Sequence, residues 1–125
     1  MTENDISYEI RGAALKIHKE LGPGLLESVY ETALAFELEE MGHKVQRQIG
    51  IPMRYRNIEF GTGFRLDILV DNLVIIEVKS VEALNDLHHK QLLTYLKLSN
   101  KKLGLLINFN SPLIKDAMVR IVNNL

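Results

Sequence analysis

Asp67, Glu77 and Lys79 carry side chains that together could hold and cut a phosphodiester. They lie in Phe64-Arg65-Leu66-Asp67-Ile68-Leu69-Val70 and in Leu73-Val74-Ile75-Ile76-Glu77-Val78-Lys79, two runs that are otherwise mostly aliphatic. Two carboxylates offer hard oxygen ligands of the kind that suit Mg²⁺ or Mn²⁺. Such an ion would neutralise charge developing on a phosphate and lower the pKa of a water molecule. Lys79, a compact ammonium, could orient that water or stabilise the transition state. As a bare pattern, however, Asp-x9-Glu-x-Lys is weak. A ladder of ion pairs on a solvated sheet face accounts for the spacing equally well.

Strand register distinguishes the two. If a two-residue turn at Asp71-Asn72 paired Val70 with Leu73, Glu77 would lie opposite Leu66 and share its apolar face, which is costly for a carboxylate. Pairing Val70 with Val74 instead places Asp67 opposite Glu77. Phe64, Leu66, Ile68, Val70, Val74, Ile76 and Val78 then share one face, while Arg65, Asp67, Leu69, Ile75, Glu77 and Lys79 share the other. A slip of one residue exchanges the faces, so the pattern selects this second register. It also sets two like charges across from each other at about 5 Å, a poor structural choice unless something cationic lies between them. Lys79 could serve; a divalent cation would serve better.

The elements that must hold these residues follow from periodicity. Ile10, Ala14, Ile17 and Leu21 mark an amphipathic helix that stops at Gly22-Pro23-Gly24. A second helix is expected over about Leu25–Met41, burying Leu26, Tyr30, Ala33, Leu34, Phe36 and Leu38, with Glu37, Glu39 and Glu40 facing water and Gly42 as its stop. Val45 to Tyr55 alternates as a strand, and Pro52 within it argues for a sheet edge or a bulge. Arg56-Asn57 and Gly61-Thr62-Gly63 read as turns. A third helix is expected from Asp86 to Ser99, capped by Asn85 or Asp86, followed by a buried strand at Leu103–Phe109. Ser111 to Leu125 shows no clear period. The order predicts one domain over residues 1–125, of mixed α/β (α+β) class, with a central mixed β-sheet flanked by helices.

Composition narrows the function classes. The chain has 125 residues, 46% hydrophobic and 25% charged, as in a globular protein. It has no cysteine, which removes disulfides, iron–sulfur clusters and thiolate zinc sites. Neither a signal peptide nor a membrane span is visible, so a cytoplasmic location is expected. The net charge of −1 gives no global basic field. Lys44, Arg47, Arg54, Arg56, His88, His89, Lys90, Lys101 and Lys102 are scattered candidates for a nucleic-acid track.

Gly24-Leu25-Leu26-Glu27-Ser28-Val29-Tyr30 resembles the Gly-x-x-Glu-x-x-Tyr signature of the bacterial and archaeal GxxExxY proteins, a branch of the PD-(D/E)XK nuclease-like superfamily. The resemblance includes Leu21-Gly22-Pro23-Gly24 just before it and continues through both strand segments around Asp67 and Glu77. It extends to Gln91-Leu92-Leu93-Thr94-Tyr95-Leu96, and so spans roughly Ile10 to Asn110. It implies a PD-(D/E)XK, restriction-endonuclease-like core and a Mg²⁺- or Mn²⁺-dependent nuclease, acting on DNA more readily than on RNA. Asp67, Glu77 and Lys79 match the Asp…Glu-x-Lys core. Glu27 matches a helix acid that joins Asp67 and Glu77 at the metal, and Gln91 a glutamine that touches bound water or phosphate.

Each residue also has a plainer reading. Glu27 would favour its helix N-terminus by a few tenths to about 1 kcal/mol without any metal. Tyr30 suits packing or hydrogen-bonding support. His88, Gln91 and Tyr95 form a polar stripe on the third helix, the face a wet cleft would need; His88 is either substrate-facing or simply exposed. Arg65 either pairs with Glu77 or holds a phosphate. The alternative to a nuclease is a catalytically silent module of the same fold that binds nucleic acid or a protein. Hydrolysis of another phosphate ester has no pocket signature to support it. A chain this short leaves little beyond a core, so target recognition is expected to need a second copy or a protein partner.

Overall fold

The computed structural model describes residues 1–125. Helix α1 spans Glu3–Leu21, starting further upstream than the apolar stripe indicates. Thr2 caps it in a reciprocal capping box with Asp5. Its buried stripe is Ile6, Ile10, Ala13, Ala14 and Ile17, whereas Leu21 stays partly exposed. Helix α2 spans Glu27–Glu40 and ends at Met41, with Gly42 in a left-handed conformation as its stop. The buried side of α2 is Tyr30, Glu31, Leu34, Ala35 and Leu38. Leu26 and Phe36, expected inside, are exposed. Apolar residues surround this helix, so periodicity alone could not select the face that meets the sheet.

Five strands follow: β1 (Val45–Tyr55), β2 (Ile58–Val70), β3 (Val74–Lys79), β4 (Leu103–Asn108) and β5 (Met118–Val122). They lie side by side in chain order. All neighbours are antiparallel except β3 and β4. That parallel step needs a crossover, supplied by α3 (Asp86–Ser99), which Asn85 caps. The featureless tail forms a short 3₁₀ turn at Ile114–Asp116 and then β5, an edge strand too short and too exposed to carry a clear alternation.

The sheet is covered on both faces. Ile68, Val70, Val74, Ile76, Val78, Leu105 and Ile107 pack beneath α1 and α2. Leu66, Leu69, Ile75 and Leu106 pack beneath Leu92 and Leu96 of α3. The β2–β3 register pairs Ile68 with Ile76, Leu69 with Ile75 and Val70 with Val74, as the pattern selects. The connection is longer than two residues: Asp71 and Asn72 both take left-handed conformations, which these residue types tolerate.

Two expectations are corrected. Phe64 and Leu66 belong to the α3 side, not to the face of Ile68 and Val70. Regular alternation places Arg65 on the opposite side of β2 from them, and so away from Asp67 and Glu77. The exchange happens at Asp67. β1–β2 pairing runs through Arg47↔Ile68 and resumes at Ile49↔Leu66, leaving Gln48 and Asp67 between. Gln48 has φ 48°, and β1 changes faces there too, since Val45 packs on the α1–α2 side and Ile49 on the α3 side.

Secondly, Gly61-Thr62-Gly63 is not a turn but lies within β2. Between the pairs Ile51↔Phe64 and Met53↔Phe60, those three residues oppose Pro52 alone. Proline has no N–H for the ladder, so the surplus residues sit where pairing is already broken.

Candidate active site

Asp67 is held by the irregularity that exposes it. Its Oδ2 accepts a hydrogen bond from the backbone N–H of Val78 at 2.8 Å, and its Oδ1 lies 3.5 Å from Gln48 Nε2. A side chain thus takes a donor that regular pairing would give to a backbone carbonyl.

Glu77 follows from the same register, one step beyond Ile68↔Ile76. It is 5% exposed, and its Oε1 is buried without a hydrogen-bond partner. Burial pushes its carboxyl pKa up to about 9; the charge of Asp67 and a hydrogen bond between the two carboxyl groups add to this. Lys79, two residues on, opposes the shift through its positive charge. Two carboxyls this close, one of them desolvated, do not both stay ionised without a cation between them.

The α2 side contributes a second acidic group. Glu27 accepts from the backbone N–H of Ser80 at 3.2 Å, and Ser80 Oγ donates to Leu25 O at 2.7 Å. Glu27 therefore ties the start of α2 to the end of β3. One turn later, Glu31 is buried and accepts from Arg47 Nε at 3.0 Å and from Gln48 Nε2 at 2.7 Å. Glu31 and Gln48 are not among the residues that the motifs single out. Glu31 stands four residues after Glu27, on the same helix face, and that spacing was the available signal. Nothing in the residue type marks Gln48, whose role depends on a left-handed backbone.

Tyr30 is fully buried, stacked on Phe109 at 4.6 Å between ring centroids. Its hydroxyl donates to Gly22 O at 2.6 Å and accepts from Leu25 N at 3.1 Å, clamping the loop that delivers Glu27.

From α3, Tyr95 stacks on Phe64 at 4.6 Å. Burial raises its hydroxyl pKa, and the charges of Glu77 and Asp67 raise it further. Gln91, one turn earlier, is exposed to solvent. The predicted polar stripe breaks at His88, whose Nδ1 accepts from Asn85 N at 3.2 Å as part of the helix cap. The Arg65–Glu77 ion pair is not formed: Arg65 is exposed and has no part in the Glu77 shift.

No group of three or more His, Cys, Asp or Glu side chains is arranged to hold a metal ion. Asp67 and Glu77 are a pair, while Glu27 and Glu31 are each engaged elsewhere. The pair nevertheless fits a divalent cation in its chemistry: hard oxygen donors, one of them orphaned and buried.

A family model for the PD-(D/E)XK nuclease superfamily matches residues 4–121, nearly the whole chain. The chain belongs to the PD-(D/E)XK nuclease superfamily. Its mixed five-stranded sheet with three helices is consistent with that fold. Nucleases of the superfamily generally use divalent metal ions. No curated protein and no solved structure matches the chain. No helix of this superfamily member is long and apolar enough to cross a membrane.

Proposed function

We propose that this member of the superfamily is a Mg²⁺- or Mn²⁺-dependent nuclease that hydrolyses phosphodiester bonds, in DNA before RNA, at Asp67, Glu77 and Lys79. The observation that carries the reading is Glu77: a buried carboxyl with an unpartnered oxygen, set against a second carboxyl. Perturbed groups of this kind cluster at functional sites.

The bound cation would supply positive charge to the scissile phosphate and draw Glu77 into its ionised form. Asp67, fixed by Val78 N–H and Gln48, presents its carboxylate without a search of rotamers. The Lys79 ammonium orients the attacking water or stabilises the charge that builds on the phosphoryl oxygens. The stacked rings of Tyr95 and Phe64 stand on the α3 side, the side of the sheet that Glu77 shares with Ile75. Gln91, on the exposed face of α3, touches phosphate or water of the bound strand. Glu27 and Tyr30 secure the end of β3 from the α2 side. Hydrolysis adds water across one P–O bond, leaving a phosphomonoester and a free hydroxyl.

The test is cleavage of labelled linear, nicked, flapped and single-stranded DNA, with RNA alongside, in Mg²⁺ and in Mn²⁺. Glu77→Ala and Lys79→Ala should each abolish cutting, a loss of about 100-fold or more. A wild-type chain that leaves every substrate intact with both metals ends the reading. A second reading, a silent module that only binds nucleic acid or a protein, is favoured by the absence of a third converging acid. It predicts metal-independent binding that Glu77→Ala leaves unchanged.

A further inference from the structure

β1 and β2 outrun the rest of the sheet. β2 pairs with β3 only over Ile68–Val70, but its pairing with β1 continues from Phe64 out to Ile58. Residues 51–64 therefore form a two-stranded arm projecting past the end of β3 at which Glu77 and Lys79 lie. At about 3.3 Å per residue, the arm reaches roughly 15–20 Å beyond the sheet.

Two-stranded hairpins are marginal on their own, and this one is anchored only at its base. There, Phe64 stacks on Tyr95, and Ile51 packs on the α3-side core. Further out, beyond the irregularity at Pro52, Met53↔Phe60 and Tyr55↔Ile58 are cross-strand pairs that share one face of the arm. Tyr55 is 57% exposed, Ile58 56% and Phe60 42%. On the other face Arg54 pairs with Glu59, and at the turn Arg56 lies 5.6 Å from the Tyr55 ring centroid. Residues 51–65 carry three arginines against one glutamate, in a chain whose net charge is −1. This is a local cationic surface interleaved with exposed aromatics, beside an acid pair.

We propose that this arm grips a single-stranded segment of nucleic acid and lays it toward the Asp67–Glu77 pair. Tyr55 and Phe60 offer π-faces on which unpaired bases stack, Arg56 at the turn and Arg65 at the base meet the phosphates, and Arg54 on the reverse face is held by Glu59. Charge complementarity favours a polyanion over a second copy of this acidic chain. At a stacked spacing of about 3.4 Å per nucleotide, the arm covers on the order of five nucleotides. The substrate class this implies is a strand with an unpaired stretch (a flap, a gap or an end) rather than intact duplex. The proposal rests on the nuclease reading, and binding can be measured without cleavage.

The test is fluorescence anisotropy of a labelled 20-nucleotide single strand and its duplex, in EDTA, with the full chain. The Tyr55→Ala/Phe60→Ala pair should weaken single-strand binding by about tenfold or more. Arg56→Ala/Arg65→Ala should weaken it and reduce the slope of log K against log salt by about 1.4. Lys115→Ala, exposed but outside the arm, should bind as wild type. These side chains are exposed, so melting temperatures should be retained. The proposal is overturned if wild type binds no single strand or prefers duplex, or if the arm variants bind as wild type. It is equally overturned if the aromatic pair alters self-association in sedimentation while leaving binding intact. Absence of cleavage with binding intact would sink the nuclease reading alone.

Discussion

Gln48 and Asp67 face each other across β1 and β2 at the one step where both strands exchange the faces of the sheet. Gln48 Nε2 donates to the buried Glu31 at 2.7 Å and points at Asp67 from 3.5 Å, so one amide sits between two carboxylates. Glu31 has Arg47 as a second partner, whereas Asp67 relies on a backbone N–H. The irregularity therefore frees a carboxylate from the ladder and fixes it in place.

Gln48→Ala should destabilise the fold by about 1–3 kcal/mol, because it leaves a buried carboxylate short of a donor and keeps the left-handed backbone. Gln48→Gly should lose less, since glycine removes the left-handed penalty of about 1 kcal/mol. Urea unfolding of the three proteins checks the order. The alanine variant should also cut DNA more slowly, because Asp67 loses a restraint.

Glu77 makes the metal-free protein weaker as pH rises. Its folded pKa of about 9 lies above the ordinary 4.5, so the native state holds a proton that the unfolded chain gives up. The associated stability is full below about 4.5 and is lost as pH rises toward 9. In EDTA at pH 8, Glu77→Gln should therefore be more stable than wild type by about 1–3 kcal/mol, and the gap should shrink at pH 5. Thermal melts at the two pH values decide it; equal gaps would contradict the burial of the Glu77 carboxyl.

His43 provides an opposite pair of effects away from the site. Its ring is buried between Glu9 at 2.7 Å and Asp71 at 2.5 Å, joining α1, the start of β1 and the β2–β3 turn. Burial opposes its charge, but the hydrogen bonds and charges of Asp71 and Glu9 outweigh it, so the pKa rises above 6.5. That stability is complete below 6.5 and lost as pH climbs through the raised folded value. Burial works against ionisation of Asp71 as well; its bonds to His43 and Lys44 N–H outweigh this and lower its pKa below 3.8. Its share is present above 3.8 and lost as pH falls through the lowered value. His43→Gln should flatten the alkaline side of the melting profile and cost about 2–4 kcal/mol at pH 6.

Tyr30→Phe should cost about 1–2 kcal/mol, since Gly22 O and Leu25 N lose their shared partner while the stack on Phe109 stays. Hydrogen exchange should speed up at Leu25 more than at Leu92, which lies in the other core.

Much of this was legible from residue types. The pairing of Val70 with Val74 was legible, although the exchange at Asp67 returns Leu66 to the α3 side that Ile75 and Glu77 share, and Pro52 marked an edge strand with broken pairing. The bounds of α3 followed from Asn85 and the period that succeeds it. What escaped was non-local. Alternation predicts that Phe64 and Leu66 share a face with Ile68, and only the left-handed Gln48 and the displaced Asp67 show otherwise. Gly61-Thr62-Gly63 has turn composition, yet β1 continues opposite it and keeps it in the sheet. Glu31 was passed over because its carboxylate is paired by residues on another element.

The most direct measurement is an anomalous difference map from crystals of this chain soaked in Mn²⁺ near pH 7. A peak bound by carboxylate oxygens of both Asp67 and Glu77, and lost in Glu77→Gln, is the predicted result. No peak at that pair at saturating Mn²⁺, or a peak that survives Glu77→Gln unchanged, would contradict the account.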